Sequence, residues 1–121
     1  MIDKVNLAEK FALFSDHWRP KSVGLIDDYE IKLVKIKGDF TWHKHDDLDE
    51  MFMVFDGGFR MDFRDRQIEL TKGEMIVVPR GIEHKPYAEH ECQVLLFECQ
   101  GVVNTGNAEV STLTAPETER I

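Results

Sequence analysis

The sequence lacks long runs of basic residues, and this absence argues against a nucleic-acid partner. Lysine and arginine together number 15 against 23 aspartate and glutamate residues, so the formal net charge is −8. The acidic stretch 46–50 would repel phosphate, and scattered lysines and arginines do not form a patch that neutralises a nucleic-acid backbone. We therefore expect an acidic protein that binds no nucleic acid.

Long apolar runs, a secretory signal and paired cysteines are also missing. The longest apolar stretches, 51–55 and 75–79, fall far short of the roughly 18 to 20 residues that a membrane-spanning helix needs. No charged start followed by an apolar stretch opens the chain. A strand between Cys92 and Cys99 would put them on opposite faces and about 20 Å apart, which excludes a disulfide between them. We expect no membrane partner, free thiols and a cytoplasmic location.

The chain of 121 residues has room for one domain. Residues 1–20 are predicted to form an N-terminal helix and lead-in, because Asn6 followed three residues later by Glu9 resembles a capping box and apolar residues recur at helical spacing. This helix is predicted over residues 6–15. Residues 21–100 should form a β-barrel domain.

Two composition changes set the limits of that domain. From residue 21, short runs of Val, Ile and Phe alternate with Gly, Asp and Pro, which is typical of an all-β fold. After Gly101 large apolar side chains become rare, so residues 101–121 are predicted to be an extended or partly ordered C-terminal tail.

Nine strands are predicted between these limits, at 21–27, 29–37, 40–45, 49–56, 59–64, 67–71, 75–79, 83–88 and 91–99. The clearest alternation places Phe59, Met61 and Phe63 on one face of a half-buried strand. Many short antiparallel strands close either as a sandwich or as a barrel, and a jelly roll is the economical arrangement for about nine of them. Pattern alone does not separate these alternatives.

Three histidines and one glutamate form the candidate chemical site. His43 and His45 are two residues apart, so a strand would point both imidazoles to one face. Glu50 begins the next predicted strand, and His84 could join from a third. Three imidazoles and a carboxylate suit one divalent transition metal, whether Fe, Mn, Ni, Co, Cu or Zn, and leave positions open for water or substrate. Taken alone, a His-x-His pair is more often a surface or hydrogen-bonded pair than a metal site.

The spacing of these residues resembles the two motifs of the cupin superfamily. Gly38-(x4)-His43-Lys44-His45-(x4)-Glu50-(x6)-Gly57 is similar to the first motif, and Gly73-(x5)-Pro79-x-Gly81-(x2)-His84 is similar to the second. The 15 residues between the motifs resemble those of small, single-domain bacterial cupins. Ala88 stands where the second motif often ends in Asn.

The resemblance implies a jelly-roll cupin barrel with a metal held by His43, His45, Glu50 and His84. It also implies a metal-dependent enzyme, an oxygenase, isomerase or lyase, that acts on a small organic molecule. The alternative is a non-catalytic module that binds a small ligand or a metal. No residue stands out as a general base, so the catalytic residue stays unknown.

Strand alternation also predicts what surrounds such a site. If Glu50 faces the interior, Phe52 and Val54 should line the same cavity, with Phe63 adding apolar wall, and these three are the predicted substrate-binding residues. Met51, Met53 and Phe55 should then point outward, towards a second sheet or a partner chain. Small cupins commonly pair through such a face, so the resemblance implies a homodimer.

Overall fold

The computed structural model describes residues 2–115 and 117–121 and folds them into β-strands with one short helix. Met1 and Pro116, which belong to the predicted lead-in and tail, lie outside the described residues. The elements are α1 (Leu7–Phe11), β1 (Lys21–Ile26), β2 (Tyr29–Asp39), β3 (Glu50–Asp56), β4 (Gly58–Phe63), β5 (Gln67–Thr71), β6 (Met75–Val78), β7 (His84–Cys99) and β8 (Glu119–Arg120). The all-β prediction is confirmed.

β7 organises the sheet because it is paired along both edges. One edge pairs with β2 from Tyr87 to Cys99, while the other pairs with β4 in its first part and with β3 in its second part. The continuous path runs β5-β4-β7-β2-β1-β8, and β6 extends the β3 branch. The sequence predicts two strands, 83–88 and 91–99, where the structure has one. The register with β2 shifts between Ala88 and Cys92, so β7 bends there without ending.

Strict alternation separates the core from the outer face of this sheet. Phe52 and Val54 on β3 point inward together with Val94 and Leu96 on β7, and all four are buried. Met51 and Met53 point the other way and stay partly exposed, as predicted. The turn between β3 and β4 requires Gly57, whose φ is +91° and whose added Cβ would lie 3.1 Å from the Glu91 carbonyl oxygen.

The N-terminal helix is shorter than predicted and covers part of the outer face. Asn6 Oδ1 accepts a hydrogen bond from Glu9 N at 3.0 Å, so the predicted cap is present, but the helix ends at Phe11 rather than at residue 15. The Phe11 ring is fully buried and stacks on Phe55 at 5.2 Å between centroids. Phe55 therefore points outward as predicted, but the chain's own helix covers it. Among the described residues, no helix is long and apolar enough to cross a membrane.

Residues 101–115, here called the C-terminal strap, make up most of the segment predicted as an extended or partly ordered tail. The strap consists mainly of turns and packs against the barrel, with Thr105 and Thr114 buried and their hydroxyl groups 3.1 Å apart. Asn104 ties it down, because its side-chain amide donates to the backbone oxygen of Trp18. Short polar residues thus satisfy each other and the backbone, which the composition argument did not take into account.

Candidate metal centre

Residues 40–45, predicted as a strand, form no regular strand in the structure. Their one ladder contact is an isolated bridge between His43 and His84, and the other backbone bonds go to separate partners. Phe40 N donates to the Pro86 oxygen, and Gly81 N donates to the oxygen of His45. Single hydrogen bonds to β7, to the turn before β7 and to the C-terminal segment therefore hold this extended stretch in place.

The four candidate ligands nonetheless come together at one end of the barrel. One ligand atom from each of His43, His45, Glu50 and His84 lies within 4.8 Å of the others. Glu50 Oε1 lies 3.5 Å from His45 Nε2 and also 3.5 Å from His84 Nε2. The His43 and His84 rings are 4.2 Å apart between centroids. These separations leave a space that one cation would fill with all four donors around it.

Backbone carbonyls orient two of the imidazoles. His43 Nδ1 lies 2.9 Å from the Thr41 oxygen, and His84 Nδ1 lies 2.9 Å from the Ile82 oxygen. A carbonyl only accepts, so in each ring Nδ1 carries the proton and donates it, which leaves a free lone pair on Nε2. Such hydrogen bonds orient histidine ligands in metal sites.

Three buried polar atoms at the centre of the cluster have no hydrogen-bond partner among the described residues. They are His45 Nε2, His84 Nε2 and Glu50 Oε1. Buried polar atoms are nearly always satisfied in folded proteins, because leaving one unpaired costs about 1 to 3 kcal/mol. Three such atoms facing one another fit a bound cation, and this donor set suits a divalent transition metal.

Burial also sets the protonation states that such an ion requires. Loss of water, followed by the neighbouring His84, lowers the pKa of His43 to about 3. Burial likewise lowers the pKa values of His45 and His84, so all three rings are neutral near pH 7. Burial raises the pKa of Glu50, whose carboxyl group has no lysine or arginine in direct contact among the described residues. A metal ion would stabilise that carboxylate.

Two buried charged residues beside the cluster escaped the sequence analysis. Lys32 on β2 and Glu98 on β7 are 1% and 2% exposed, and Lys32 Nζ donates to Glu98 Oε1 at 3.0 Å. The other oxygen, Glu98 Oε2, is buried without a hydrogen-bond partner among the described residues, and the pairing of Met51 with Phe97 places Glu98 beside Glu50 on the neighbouring strand. Burial and the adjacent Glu50 raise the pKa of Glu98 well above its ordinary value.

A mostly apolar cavity opens in front of the cluster. Its free volume is about 40 Å³, room for a few water molecules. Polar groups reach it from His43, Glu50, Glu98 and Asn104. The remaining wall consists of Trp18, Pro20, Val34, Ile36, Phe40, Phe52, Phe59, Pro86, Val94 and Leu96.

The three residues predicted to bind substrate occupy different places around this cavity. Phe52 forms part of the wall, and its ring lies 6.2 Å from that of His84. Val54 is 1% exposed and belongs to the core below. Phe63 pairs with His84 across β4 and β7 and packs on the core from outside. Among the described residues, the cavity wall thus includes Phe52 but neither Val54 nor Phe63.

The C-terminal strap holds the segment that carries His43 and His45. Asn107 Oδ1 accepts from Lys44 N at 2.8 Å, and Asn107 N donates to the Lys44 oxygen at 3.2 Å. Gly106 packs so closely that an added Cβ would overlap the Lys44 oxygen and lie 3.2 Å from a carbon of each flanking imidazole. The strap therefore fixes the loop between two candidate ligands.

Comparison with known proteins identifies relatives that share this architecture. The sequence model of the cupin domain matches residues 32–98. A crystal structure of a cupin-2 domain protein from Shewanella frigidimarina is 46% identical, with a TM-score of 0.79 over 79% of this chain and 94% of that one. A protein from Neisseria meningitidis is 30% identical, with a TM-score of 0.74 over 81% of this chain and all of that one. These likenesses confirm the jelly-roll prediction.

Two further similarities are more limited. The uncharacterized protein YdbB of Bacillus subtilis is 31% identical over 65 residues, or 53% of this chain, and the match spans only 58% of that relative's length. Hydroquinone 1,2-dioxygenase from Sphingomonas is 18% identical with a TM-score of 0.65, over 84% of this chain and 81% of that one. The second likeness shows a shared fold alone.

Proposed function

The chain belongs to the cupin family, and we propose that it is a metal-dependent enzyme acting on a small organic molecule. The reaction classes that we consider are those of an oxygenase, an isomerase or a lyase. The proposal rests on the arrangement of the chain's own residues, since the relatives at 30% identity or more carry no stated activity.

One observation carries the proposal. His45 Nε2, His84 Nε2 and Glu50 Oε1 are buried, unpartnered and mutually facing, and the cavity wall includes Glu50 together with His43. A purely structural cluster would be expected to satisfy these atoms within the protein. Their convergence beside a cavity supports an ion that a second molecule can reach.

In this proposal His43, His45, Glu50 and His84 hold one divalent ion, which is Fe, Mn, Ni, Co, Cu or Zn. The bound ion would supply Lewis acidity towards an oxygen of the substrate. Four protein ligands leave two positions on an octahedral ion. The carbonyls of Thr41 and Ile82 keep two of the rings in the tautomer that binds.

The cavity indicates the class of substrate. Aromatic and aliphatic side chains make up most of its wall, and the polar groups gather on the side of the cluster. No lysine or arginine among the described residues lines it, so a phosphorylated sugar would lack a cationic partner. A small and mostly apolar molecule with one or two oxygen atoms fits this distribution.

A second candidate function is a non-catalytic module that binds a metal or a small ligand. The free volume of about 40 Å³ favours it, because a substrate larger than a few water molecules needs the wall or the C-terminal strap to move. The two functions differ in whether substrate is consumed when the metal is present.

The proposal is tested by elemental analysis of protein purified without added metal, followed by a substrate screen with and without oxygen. About one equivalent of a transition metal and turnover of a small organic compound would support the enzyme. One equivalent without turnover would leave the binding module. Protein that neither carries nor takes up a transition metal would overturn the enzyme and the metal-binding module.

We also propose a homodimer formed through the uncovered part of the outer sheet face. Met51 on β3 lies between Val77 on β6 and Phe97 on β7, and the neighbouring row places Met53 between Met75 and Leu95. Val77 and Met75 are about half exposed, at 51% and 54%. Two apolar rows across three strands suit a two-fold interface in which the same patch meets itself.

The same reasoning applies to the location of the protein in the cell. Cys92 and Cys99 are both free thiols on β7. Free thiols fit a reducing compartment, so we propose that the protein works in the cytoplasm.

A further inference from the structure

We propose that Glu98 selects the ligand of the cavity, by forming a hydrogen bond between its Oε2 atom and a hydroxyl group on that ligand. The inference deepens the proposed function and rests on it, because it names the class of molecule that the cavity admits. That class is a small, mostly apolar molecule with a hydroxyl group. The inference follows from which polar atoms of the cavity wall are already occupied.

Two polar side chains of the wall are occupied by the protein itself. The Asn104 amide nitrogen donates to the backbone oxygens of Trp18 and Leu113 at 3.0 and 2.9 Å, and its side-chain oxygen accepts from Ala115 N at 2.7 Å. The indole nitrogen of Trp18 donates to the Lys37 oxygen at 3.0 Å. Asn104 and Trp18 therefore shape the wall without offering a ligand a free N–H group.

Two further polar residues of the wall, His43 and Glu50, belong to the candidate metal cluster. In the proposed function both bind the ion, and His43 Nδ1 is already bonded to the Thr41 oxygen at 2.9 Å. Glu98 is the remaining polar side chain among the described residues of the wall. Its Oε2 atom is buried and has no hydrogen-bond partner among them, so it is available to a ligand.

Lys32 holds the other oxygen of Glu98 in place. Lys32 Nζ donates to Glu98 Oε1 at 3.0 Å, and both side chains are at most 2% exposed. A buried ion pair is often no more stabilising than apolar residues of the same size, so stability alone does not explain this pair at inward-facing positions. Recognition does explain it, because a selective apolar cavity needs a few polar groups with fixed positions.

The groups around Glu98 Oε2 favour a hydroxyl over other polar groups. An anionic group on the ligand would meet two carboxyl groups, those of Glu98 and Glu50, and an ammonium group would meet a carboxyl whose charge Lys32 already balances. A hydroxyl both donates and accepts, so it pairs with a carboxyl in either protonation state. A wholly apolar ligand would leave Oε2 without a partner, and such a mismatch lowers affinity strongly.

The position of Glu98 also orients such a ligand. Met51 pairs with Phe97, so Glu98 lies beside Glu50 on the neighbouring strand. A hydroxyl bound to Glu98 would therefore keep its end of the ligand next to the candidate metal cluster. The free volume of about 40 Å³ has room for a few water molecules, and hence for a molecule of about three non-hydrogen atoms.

The test uses ethanol and chloroethane as probes, because they are similar in size and differ in the hydroxyl group. The protein as purified is titrated with each probe, and dissociation constants come from the NMR chemical shifts of residues along the cavity wall. We expect ethanol to bind about 10-fold or more tightly than chloroethane, because only ethanol satisfies Glu98 Oε2. Equal affinities, or no saturable binding of ethanol, would overturn the inference.

Two variants assign this preference to Glu98. Lys32→Met with Glu98→Leu removes both charges together, so neither is left unpaired, and we expect the ratio of the two affinities to fall to about one. Glu98→Asp serves if the double variant does not fold, because it keeps a carboxyl for Lys32 but withdraws it by one methylene, and the ratio should again fall. Glu89→Gln, at an exposed position of β7, is the control and should keep the parent ratio. An unchanged ratio in the double variant or in Glu98→Asp would contradict the role of Glu98.

Elemental analysis of the same preparation separates this inference from the proposed function. About one equivalent of a transition metal without a preference for ethanol would overturn the inference and leave the metal site in place. Protein that takes up no transition metal would overturn the proposed enzyme, whatever the affinity for ethanol.

Discussion

His43 and His84 are joined by two reciprocal backbone hydrogen bonds. His43 N donates to the His84 oxygen at 3.1 Å, and His84 N donates to the His43 oxygen at 2.9 Å. This bridge links the two motifs, which are far apart in sequence, at the residues whose side chains meet. The backbone therefore keeps the two imidazoles together without the help of a bound ion.

Removing candidate ligands should abolish metal binding without unfolding the barrel. We expect the double variant His45→Ala with His84→Ala to lose its equivalent of metal, because two of the four donors are gone. The core is built from other, apolar residues, so the β-sheet spectrum should persist. Elemental analysis and circular dichroism measure both effects. His90→Ala, at an exposed position, should keep the metal, and metal retained at one equivalent by the double variant would show that the site lies elsewhere.

Gly106→Ala should damage the site through the C-terminal strap. Gly106 has φ +53° and no room for a Cβ, whereas Gly101 has φ +81° and nothing within 4 Å of an added Cβ. Gly101→Ala should therefore lower the free energy of unfolding by only about 1 to 2 kcal/mol, the cost of a left-handed backbone. Gly106→Ala should cost about 1 to 3 kcal/mol more, because the Lys44 carbonyl must shift.

Metal titration separates these two glycine variants further. Lys44 lies between His43 and His45, so its displacement in Gly106→Ala should weaken metal binding, whereas Gly101→Ala should bind like the parent. Urea unfolding with a chelator present gives the stability difference. Equal stability and equal affinity of the two variants would show that the strap does not support the ligands.

Acid should destabilise the metal-free protein through His43. Its pKa is 6.5 in the reference state and about 3 in the folded protein, because burial disfavours the charged ring. Between these two pH values the His43 ring is protonated in the unfolded chain but neutral in the folded protein. The contribution of neutral His43 to the free energy of unfolding is therefore present above pH 6.5 and is lost as the pH falls towards 3. Between pH 7 and pH 5 the His43 share of this loss is about 2 kcal/mol.

The His43 contribution has to be measured against a His43 variant, because the raised pKa values of Glu50 and Glu98 change the stability in the opposite direction with pH. Those two groups stabilise the fold most at low pH and lose the effect as the pH rises. Urea unfolding at both pH values should show a pH dependence about 2 kcal/mol smaller in His43→Gln than in the parent. His90→Gln should behave as the parent does, and an unchanged pH dependence in His43→Gln would contradict the assignment.

A charge in the uncovered outer face should separate the proposed dimer. Light scattering at micromolar concentration should give twice the 14.1 kDa mass of the chain. Met51→Glu with Val77→Glu should give a single-chain mass, because two adjacent carboxylates would meet their copies across a two-fold axis. Val110→Glu, at a site 87% exposed, should remain a dimer. A parent mass near 14 kDa would remove the dimer from consideration.

The sequence predicts the repeating features of this fold well. Strands β3 and β5 lie within one residue of their predicted limits, since alternation and turn residues are local signals. Residues 40–45 lack regular strand pairing, because their backbone hydrogen bonds go to three separate places, namely β7, the turn at Gly81 and the C-terminal strap. Distant partners of this kind leave no local pattern.

The burial of Lys32 and Glu98 could have been predicted from the sequence. Glu98 shares the parity of Val94 and Leu96, and Lys32 shares that of Val34 and Ile36, so each is a charged residue at an inward position. Inward charge in a strand is the signal that could have found them. Their proximity to Glu50 was not predictable, because it depends on how β2, β3 and β7 are ordered in the sheet.

The double pairing of β7 also fixes the order of events during synthesis. Strands β2, β3 and β4 leave the ribosome first, but each pairs with β7, which spans residues 84–99. Until that segment emerges, each of these three strands has one edge without its β7 partner. Unpaired strand edges are prone to aggregation and are bound by chaperones. His84 opens the same segment, so the four candidate ligands can come together only after the start of β7 has emerged.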